Sequence, residues 1–446
     1  LRIVLLCGGS GKRLWPLSNE IRSKVFLKLL KSQDGVSESM IGRICRQLDE
    51  VGLLQSTYIV THQSQMEITR TYVGEHIPII AEPYKRGTFT AAALAISYLH
   101  EKIQVDPNET ICILPVDTYV DTAFFQLLHC FPEVLSRSNA DLALLGTKPI
   151  NPSDQLGYIV PVLPKECDEY AFVSQFIEKP NEKIAISLIE HHAMWNCGVF
   201  AFPLKFMLTY LHNSGFPDQF DTWLANYENL ANLSFDREVV EHTQSVVVLG
   251  YEGFWSDLGS WTTLCSHFED RVIGLGRISD DAVNSHIVNE LPYPIKIIGV
   301  PDIIVAANSN GIIIANKDKA NQIKEILADI SPIPMYAEKR WGSYRIIDYW
   351  KKDDGNETMI KKVNLTQGNN TSYHQHHNCQ EIVTILSGCA EILMEDKLYM
   401  LQAGDALQIP AGIKHGIKAV THLELMEVVL GKELAQEDIT RYAIHW

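Results

Sequence analysis

Short apolar runs recur along the first 265 residues, separated by stretches with helical spacing or turn residues. They predict strands at residues 3–6, 58–61, 77–81, 110–115, 141–147, 173–177, 199–202 and 246–249. The Ala-rich stretch 88–102, opening on Thr, and the stretch 181–191 carry the helical period. Strands alternating with helices predict an α/β fold, a mostly parallel sheet covered by helices, with ligands at the carboxyl ends of the strands. After Trp261 the pattern changes. From about 282 to 316, short β-rich runs alternate with Asn, Pro and Gly turns, predicting a small β-solenoid-like segment. A helix over 317–329 and a linker at 331–334 follow, and 335–446 has the short strands and frequent turns of a small barrel. The expected division is 1–265, 266–334 and 335–446.

Composition narrows the function class. The content is that of an ordinary soluble globular protein, with 46% hydrophobic and 21% charged residues. A net charge of −16 argues against a general nucleic-acid binder. The first 31 residues run the other way, with seven Lys or Arg against one acid, Glu20. That fits a site for a small anion, although a solvated basic face would read the same. Nine dispersed cysteines without a Cys-x-x-Cys pair suggest reduced thiols and a cytoplasmic location. No signal-peptide pattern or membrane-spanning apolar run is expected.

The basic stretch holds the first candidate site. An apolar strand ending at Leu6 runs into a loop with Gly8, Gly9, Ser10 and Gly11, followed by Lys12, Arg13 and Lys24. Glycines let backbone N–H groups approach a polyphosphate closely, and the cations neutralise it. A Walker A loop is excluded, since Leu6 and Arg13 stand where Gly and Ser or Thr are needed. A dinucleotide fingerprint fails at Leu14.

What remains, Gly-Gly-x-Gly-x-Arg-Leu-x-Pro-Leu, resembles the signature of the sugar-phosphate nucleotidyltransferases, and its Trp points to the mannose-1-phosphate guanylyltransferase branch. The resemblance implies a Rossmann-like, GT-A-like domain. It also implies a reaction of GTP with mannose 1-phosphate giving GDP-mannose, with magnesium as cofactor. Leu6, Gly8, Gly9, Ser10, Gly11, Lys12 and Arg13 would hold the nucleotide with Glu82, Arg86 and Thr88 from a second segment. Arg13, Lys24, Asp117 and Asp257 would be catalytic, the two aspartates binding magnesium. Gly157, Glu178, Lys179 and Asn196 would hold the sugar phosphate. Ser23 and Val25 flank Lys24 where the family has Pro and Gln, and Gly87 replaces its Asn. Taken singly, each aspartate reads more readily as a cap or loop carboxylate, Glu178–Lys179 as a surface pair, and Trp195 and Trp255 as packing.

The carboxy-terminal stretch carries two spaced motifs. The first is Gly368-x5-His374-x-His376-x4-Glu381-x6-Gly388, and the second is Gly404-x5-Pro410-x-Gly412-x2-His415. They are those of a cupin barrel, and three imidazoles with one carboxylate suit zinc or a similar transition metal. This half resembles the phosphomannose isomerase domain of two-domain relatives, with Lys339 to Tyr344 similar to their Arg-Pro-Trp-Gly-x-Tyr segment. Gly416 and Cys379 stand where those relatives carry cations, His374 replaces their Gln, and Ile382-Val383 replace His-Trp. A structural or regulatory cupin is therefore expected ahead of an isomerase. A non-enzymatic cupin regulator is the reading from another class. Expected partners are GTP and mannose 1-phosphate, with no nucleic acid or membrane, and the expected assembly is a homodimer.

Overall fold

The computed structural model describes every residue except 10, 33, 163–168, 218, 328–333, 396, 433, 435–437 and 443–446. Its contacts divide the chain into two units: Leu1–Leu14 with Ser23–Glu269, and Trp15–Arg22 with Asp270–Trp446.

The first unit is built on a nine-stranded sheet, ordered Ile79–Glu82, Thr57–His62, Arg2–Leu6, Thr110–Pro115, Met194–Pro203, Leu142–Thr147, Val246–Tyr251, Ala171–Ile177 and Tyr158–Pro161. The first four strands are parallel. Beyond them the sheet is mixed rather than mostly parallel. Met194–Pro203 runs antiparallel to both its neighbours Thr110–Pro115 and Leu142–Thr147. Strands buried on both faces read as unbroken apolar runs in either direction, so the sequence pattern does not show this reversal. All six residues of Leu142–Thr147 are buried. The helix Gly87–Glu101 is buried around most of its circumference, and its alanines 91–93 and 95 let it lie close against the sheet. The helix Glu182–Glu190 starts where Asn181 accepts a hydrogen bond from the backbone of Ile184. Helices at Met40–Glu50, Met66–Val73 and Leu204–Asn213 were not among those expected.

The parallel strands set the site. Leu6, His62, Glu82 and Pro115 end four adjacent strands at one edge of the sheet, the carboxyl edge where ligands collect in such folds.

In the second unit, Val272–Gly274, His286–Asn289 and Ile303–Asn308 stack in parallel, as do Gly276–Ile278 and Ile295–Ile297. Ala282, Ile287, Ile297 and Val305 fill the space inside these rungs. Gly311–Asn316 then turns back antiparallel and closes the stack. The helix expected over 317–329 is shorter. Lys317–Gln322 forms a 3-10 helix capped by the Asn316 side chain, and one α-turn, Ile323–Ile326, follows. Lys-Asp-Lys-Ala-Asn-Gln offers one apolar residue and no stripe to bury, which explains the short helix. Residues 328–329 of that helix and 331–333 of the linker lie outside the described residues.

The rest of the unit is two antiparallel sheets, one six-stranded from Tyr336–Lys339 to Ala406–Ile409 and one five-stranded that includes Tyr373–His376 and His415–Ala419. Val363, Leu365, Val383, Ile385, Ile392 and Leu425 form the core between them. This is a cupin-type β-sandwich.

Candidate functional site

Gly11 adopts φ +64°, and a Cβ placed on it would stand 2.8 Å from Lys24 Cβ. The loop can fold onto Lys24 only because that position is glycine. Lys24 Nζ in turn donates to Asp117 Oδ2, so the loop, the lysine and the carboxylate form one cluster. Asp257 is brought beside Asp117 by a small antiparallel pair, Thr118–Val120 with Trp255–Asp257, in which Asp257 faces Thr118. Leu258 N–H donates to the Asp117 carbonyl at 2.9 Å and tightens the junction.

Electrostatics mark this cluster as cation-seeking. Burial and repulsion by Asp117 push Asp257 up to about 6, against Lys24, Arg13 and Lys179. Burial also works to raise Asp117, but Lys24 overrides it and holds the carboxyl below the usual range. Burial opposes the charge of Lys24, while Asp117 and Asp257 keep its pKa above the ordinary value. Two adjacent half-buried carboxylates that one lysine cannot fully neutralise fit a hard cation such as magnesium. Arg13, from the short turn Lys12–Leu14, donates to Gln155 Oε1 at 3.2 Å.

The other nucleotide-loop candidates separate into two kinds. Leu6 is paired in register with Pro115 in the sheet, and Lys12 is exposed. A Cβ at Gly8 would lie 3.3 Å from Glu82 Oε2, so this carboxylate forms a wall of the loop. Burial raises Glu82 to about 8, only partly offset by Lys85. Nothing stands within 4 Å of a Cβ at Gly9, and Ser10 lies outside the described residues. Arg86 donates to the Glu228 carbonyl, and the Thr88 hydroxyl accepts from Phe235 N–H at 2.9 Å. Gly87 is required there: with φ +85°, a Cβ would meet the Leu233 carbonyl oxygen at 2.1 Å.

The sugar candidates converge. A Cβ at Gly157 would stand 2.7 Å from Glu178 Oε2 and 3.5 Å from Asn196 Cβ. Asn196 N–H donates to the Gly157 carbonyl at 2.9 Å. Lys179, itself at φ +50°, ion-pairs with Glu178. Sequence reasoning missed Asp236, whose Oδ1 accepts from Asn196 Nδ2 at 2.9 Å. Burial and repulsion by Glu178 push Asp236 up to about 6. A lone Asp in a short Phe-Asp-Arg-Glu helix carries no spacing signal. Trp195 and Trp255 are buried with ring centroids 6.3 Å apart, as packing residues are.

In the barrel, ligand atoms of His374, Glu381 and His415 lie within 4.8 Å of one another. His374 Nδ1 donates to the Ser372 carbonyl at 2.8 Å, and His415 Nδ1 to the Ile413 carbonyl at 3.0 Å. Carbonyls only accept, so both Nδ1 atoms carry the proton and leave Nε2 as the coordinating atom. His415 Nε2 is 2.8 Å from Glu381 Oε2, yet it has no aligned hydrogen-bond partner. An orphaned, buried imidazole nitrogen facing a carboxylate fits a transition-metal ligand set. His376 lies outside that trio and spends Nε2 on Glu381 Oε1 at 2.9 Å, with Nδ1 3.4 Å from Asp438. Lys361, also missed from sequence, bonds Glu427 at 2.6 Å. Burial opposes its charge, but Glu427 and Glu381 hold its pKa up, so the barrel has a cation near Glu381 despite Gly416 and Cys379.

No helix among the described residues is long and apolar enough to cross a membrane. Residues 334–443 match the family model for the mannose-6-phosphate isomerase C-terminal region. The alginate biosynthesis protein AlgA of Pseudomonas aeruginosa is 27% identical, over 98% of this chain and 95% of its own. The mannose-1-phosphate guanylyltransferase RfbM of Salmonella typhimurium is 26% identical, over 98% of this chain and 96% of its own. The crystal structure of mannose-1-phosphate geranyltransferase from Thermus thermophilus superimposes with a TM-score of 0.61 at 26% identity, covering 73% of this chain and 98% of that one. Residues 2–271, which contain the glycine loop, Lys24 and both aspartates, match the nucleotidyl transferase model, and the chain belongs to the nucleotidyl transferase family.

Proposed function

We propose that this chain transfers a guanylyl group from GTP to mannose 1-phosphate, giving GDP-mannose and pyrophosphate. The observation that carries the reading is the cluster of Lys24, Asp117 and Asp257 beneath a glycine loop at the carboxyl edge of the sheet. An oxygen of the sugar phosphate attacks the α-phosphorus of the triphosphate. The bond to the bridging oxygen breaks, and pyrophosphate leaves with the electron pair. Both reactants are anions, so the protein contributes mainly positioning and charge neutralisation. Lys24 and Arg13 stand against the charge that grows on the leaving group. Asp117 and Asp257 would hold magnesium, which supplies positive charge against the triphosphate when bound.

Glu82 supports guanine as the base. Once ionised its carboxylate only accepts, and the guanine edge offers two neighbouring donors, N1–H and the 2-amino group. Glu178, Asn196 and Asp236 offer acceptors for sugar hydroxyls, with Lys179 for the sugar phosphate. The names carried by the Salmonella and Thermus relatives fit mannose 1-phosphate as acceptor or substrate. Free cysteines at each described cysteine position support a reducing, cytoplasmic setting. The test is pyrophosphate release from a panel of triphosphates and sugar 1-phosphates in magnesium. The highest kcat/KM is expected for GTP with mannose 1-phosphate, and a preference for another pair would overturn the assignment of base or sugar.

A second reading gives the barrel its own reaction, interconversion of mannose 6-phosphate and fructose 6-phosphate. The His374–Glu381–His415 trio, the nearby Lys361 and the family match over this region favour it. Incubating the full chain with fructose 6-phosphate and zinc, and finding no mannose 6-phosphate, would leave the barrel as a structural module.

A further inference from the structure

A cavity of about 360 Å³ opens in the second unit, on the opposite face of the barrel sheet from the metal trio. Along Asn356–Leu365, Val363 and Leu365 point into the barrel core, so the alternating positions Lys362 and Asn364 point outward. Arg345 pairs directly with Lys362 across the sheet and with Tyr336 on its other side, which sets these three residues in a row along the cavity wall. The facing wall comes from Asn308, Ser309 and Glu290 of the parallel-rung segment, with Arg22 at the edge.

The lining groups are unequally satisfied. Arg22 is already held by Glu290 at 2.8 Å and Glu338 at 3.2 Å. Lys362 has Glu424 at 3.2 Å. Arg345, by contrast, has no ion-pair or hydrogen-bond partner for its guanidinium among the described residues. Asn308 is 4% exposed, its Oδ1 accepts from Asn310 N–H at 2.8 Å, and its Nδ2 has no partner among the described residues. A buried amide donor left unpaired costs on the order of 1–3 kcal/mol unless something accepts from it. The wall around it is built: Asn310 donates to the Pro16 carbonyl at 2.8 Å and accepts from Met335 N–H at 2.8 Å.

We propose that this cavity binds a terminal phosphate group, the chemistry shared by inorganic phosphate and a sugar phosphate. Arg345 supplies the planar fork that matches phosphate oxygens, Lys362 a second cation, and Asn308 Nδ2 a fixed neutral donor. Asn364, Ser309 and Tyr336 leave polar contacts for hydroxyl groups. The volume sits at the low end of the roughly 300–1,000 Å³ range of small-molecule sites, which suits a phosphorylated monosaccharide better than a nucleotide sugar.

The test is isothermal titration of the full chain with inorganic phosphate, mannose 6-phosphate and unphosphorylated mannose, for wild type, Arg345→Ala and Asn308→Asp. At least one phosphate probe should bind, and mannose should not. Each variant should weaken the phosphate probe at least tenfold, with guanylyl transfer unchanged within twofold and Arg345→Lys intermediate. Of the binding that Arg345→Ala removes, a tighter mannose 6-phosphate than phosphate component identifies a sugar phosphate as the occupant, and equal components identify the free anion. Should Asn308→Asp misfold, the half-buried and unpartnered Arg345 still gives the comparison. Wild-type isotherms in Arg345→Ala and Arg345→Lys, or no heat from either phosphate probe at millimolar concentration, would overturn the site.

Discussion

Glu82 is a carboxyl held near pH 8 by burial, with Lys85 lowering it only in part. The unfolded chain releases this proton at about pH 4.3. Between those values the folded state binds the extra proton. The stability Glu82 contributes is therefore fully present below about pH 4 and is lost as pH rises through about 8. GTP binding has the opposite sign, because only the ionised carboxylate accepts from both guanine donors. We expect GTP affinity to rise by up to tenfold per pH unit below about 8 and then level, and Glu82→Gln to flatten that profile. Fluorescence or calorimetric titration of GTP between pH 6 and 9 checks it, and parallel profiles for both proteins would contradict the role. Lys24 gives a second residue-scale expectation. Lys24→Ala should lower turnover by about two orders of magnitude, roughly 3 kcal/mol, while the KM for the sugar phosphate changes little. A change confined to that KM would place Lys24 in the wrong half of the site.

At the scale of elements, the site depends on backbone that only certain residues permit. Gly11→Ala would place a Cβ 2.8 Å from Lys24 Cβ at φ +64°, so the loop must withdraw or Lys24 must move. Turnover should fall at least tenfold with the melting temperature changed by only a few degrees, measured by steady-state kinetics and thermal unfolding. Unchanged turnover would mean the loop does not set the lysine. The glycine loop and its cations were legible because close phosphate approach needs glycine and charge, and both show as residue type. Asp117 and Asp257 were legible from the family's segments, but what joins them was not. Thr118–Val120 pairing with Trp255–Asp257 is a contact between distant three-residue strands too short to show a period. Asp236 and Lys361 escaped for a related reason: each is one charged residue whose partners, Asn196 and Glu427, lie 40 and 66 positions away. The antiparallel course of Met194–Pro203 was hidden because burial on both faces erases direction from the pattern.

At the scale of the whole molecule, two units carry two distinct donor sets. The carboxylates of the first unit suit magnesium, and the imidazoles of the second suit a softer metal. His374→Ala or His415→Ala should each remove bound zinc, measured by metal analysis after dialysis, because each deletes one ligand of a three-residue cluster. Neither should change guanylyl transfer by more than a few fold, and a larger loss would make the barrel metal part of the transfer reaction. Against a net charge of −16, the basic stretch 1–31 carries seven Lys or Arg and one acid, which fits an anionic substrate at the glycine loop. The metal-dependent centre proposed for guanylyl transfer is the pair Asp117 and Asp257. Its most direct measurement is pyrophosphate release from GTP and mannose 1-phosphate across a magnesium titration, for the full chain and for Asp117→Asn and Asp257→Asn. We expect GDP-mannose and pyrophosphate in equal amounts from the wild type, and at least a hundredfold loss of turnover in each variant at saturating magnesium. Near-normal turnover in both variants would contradict it.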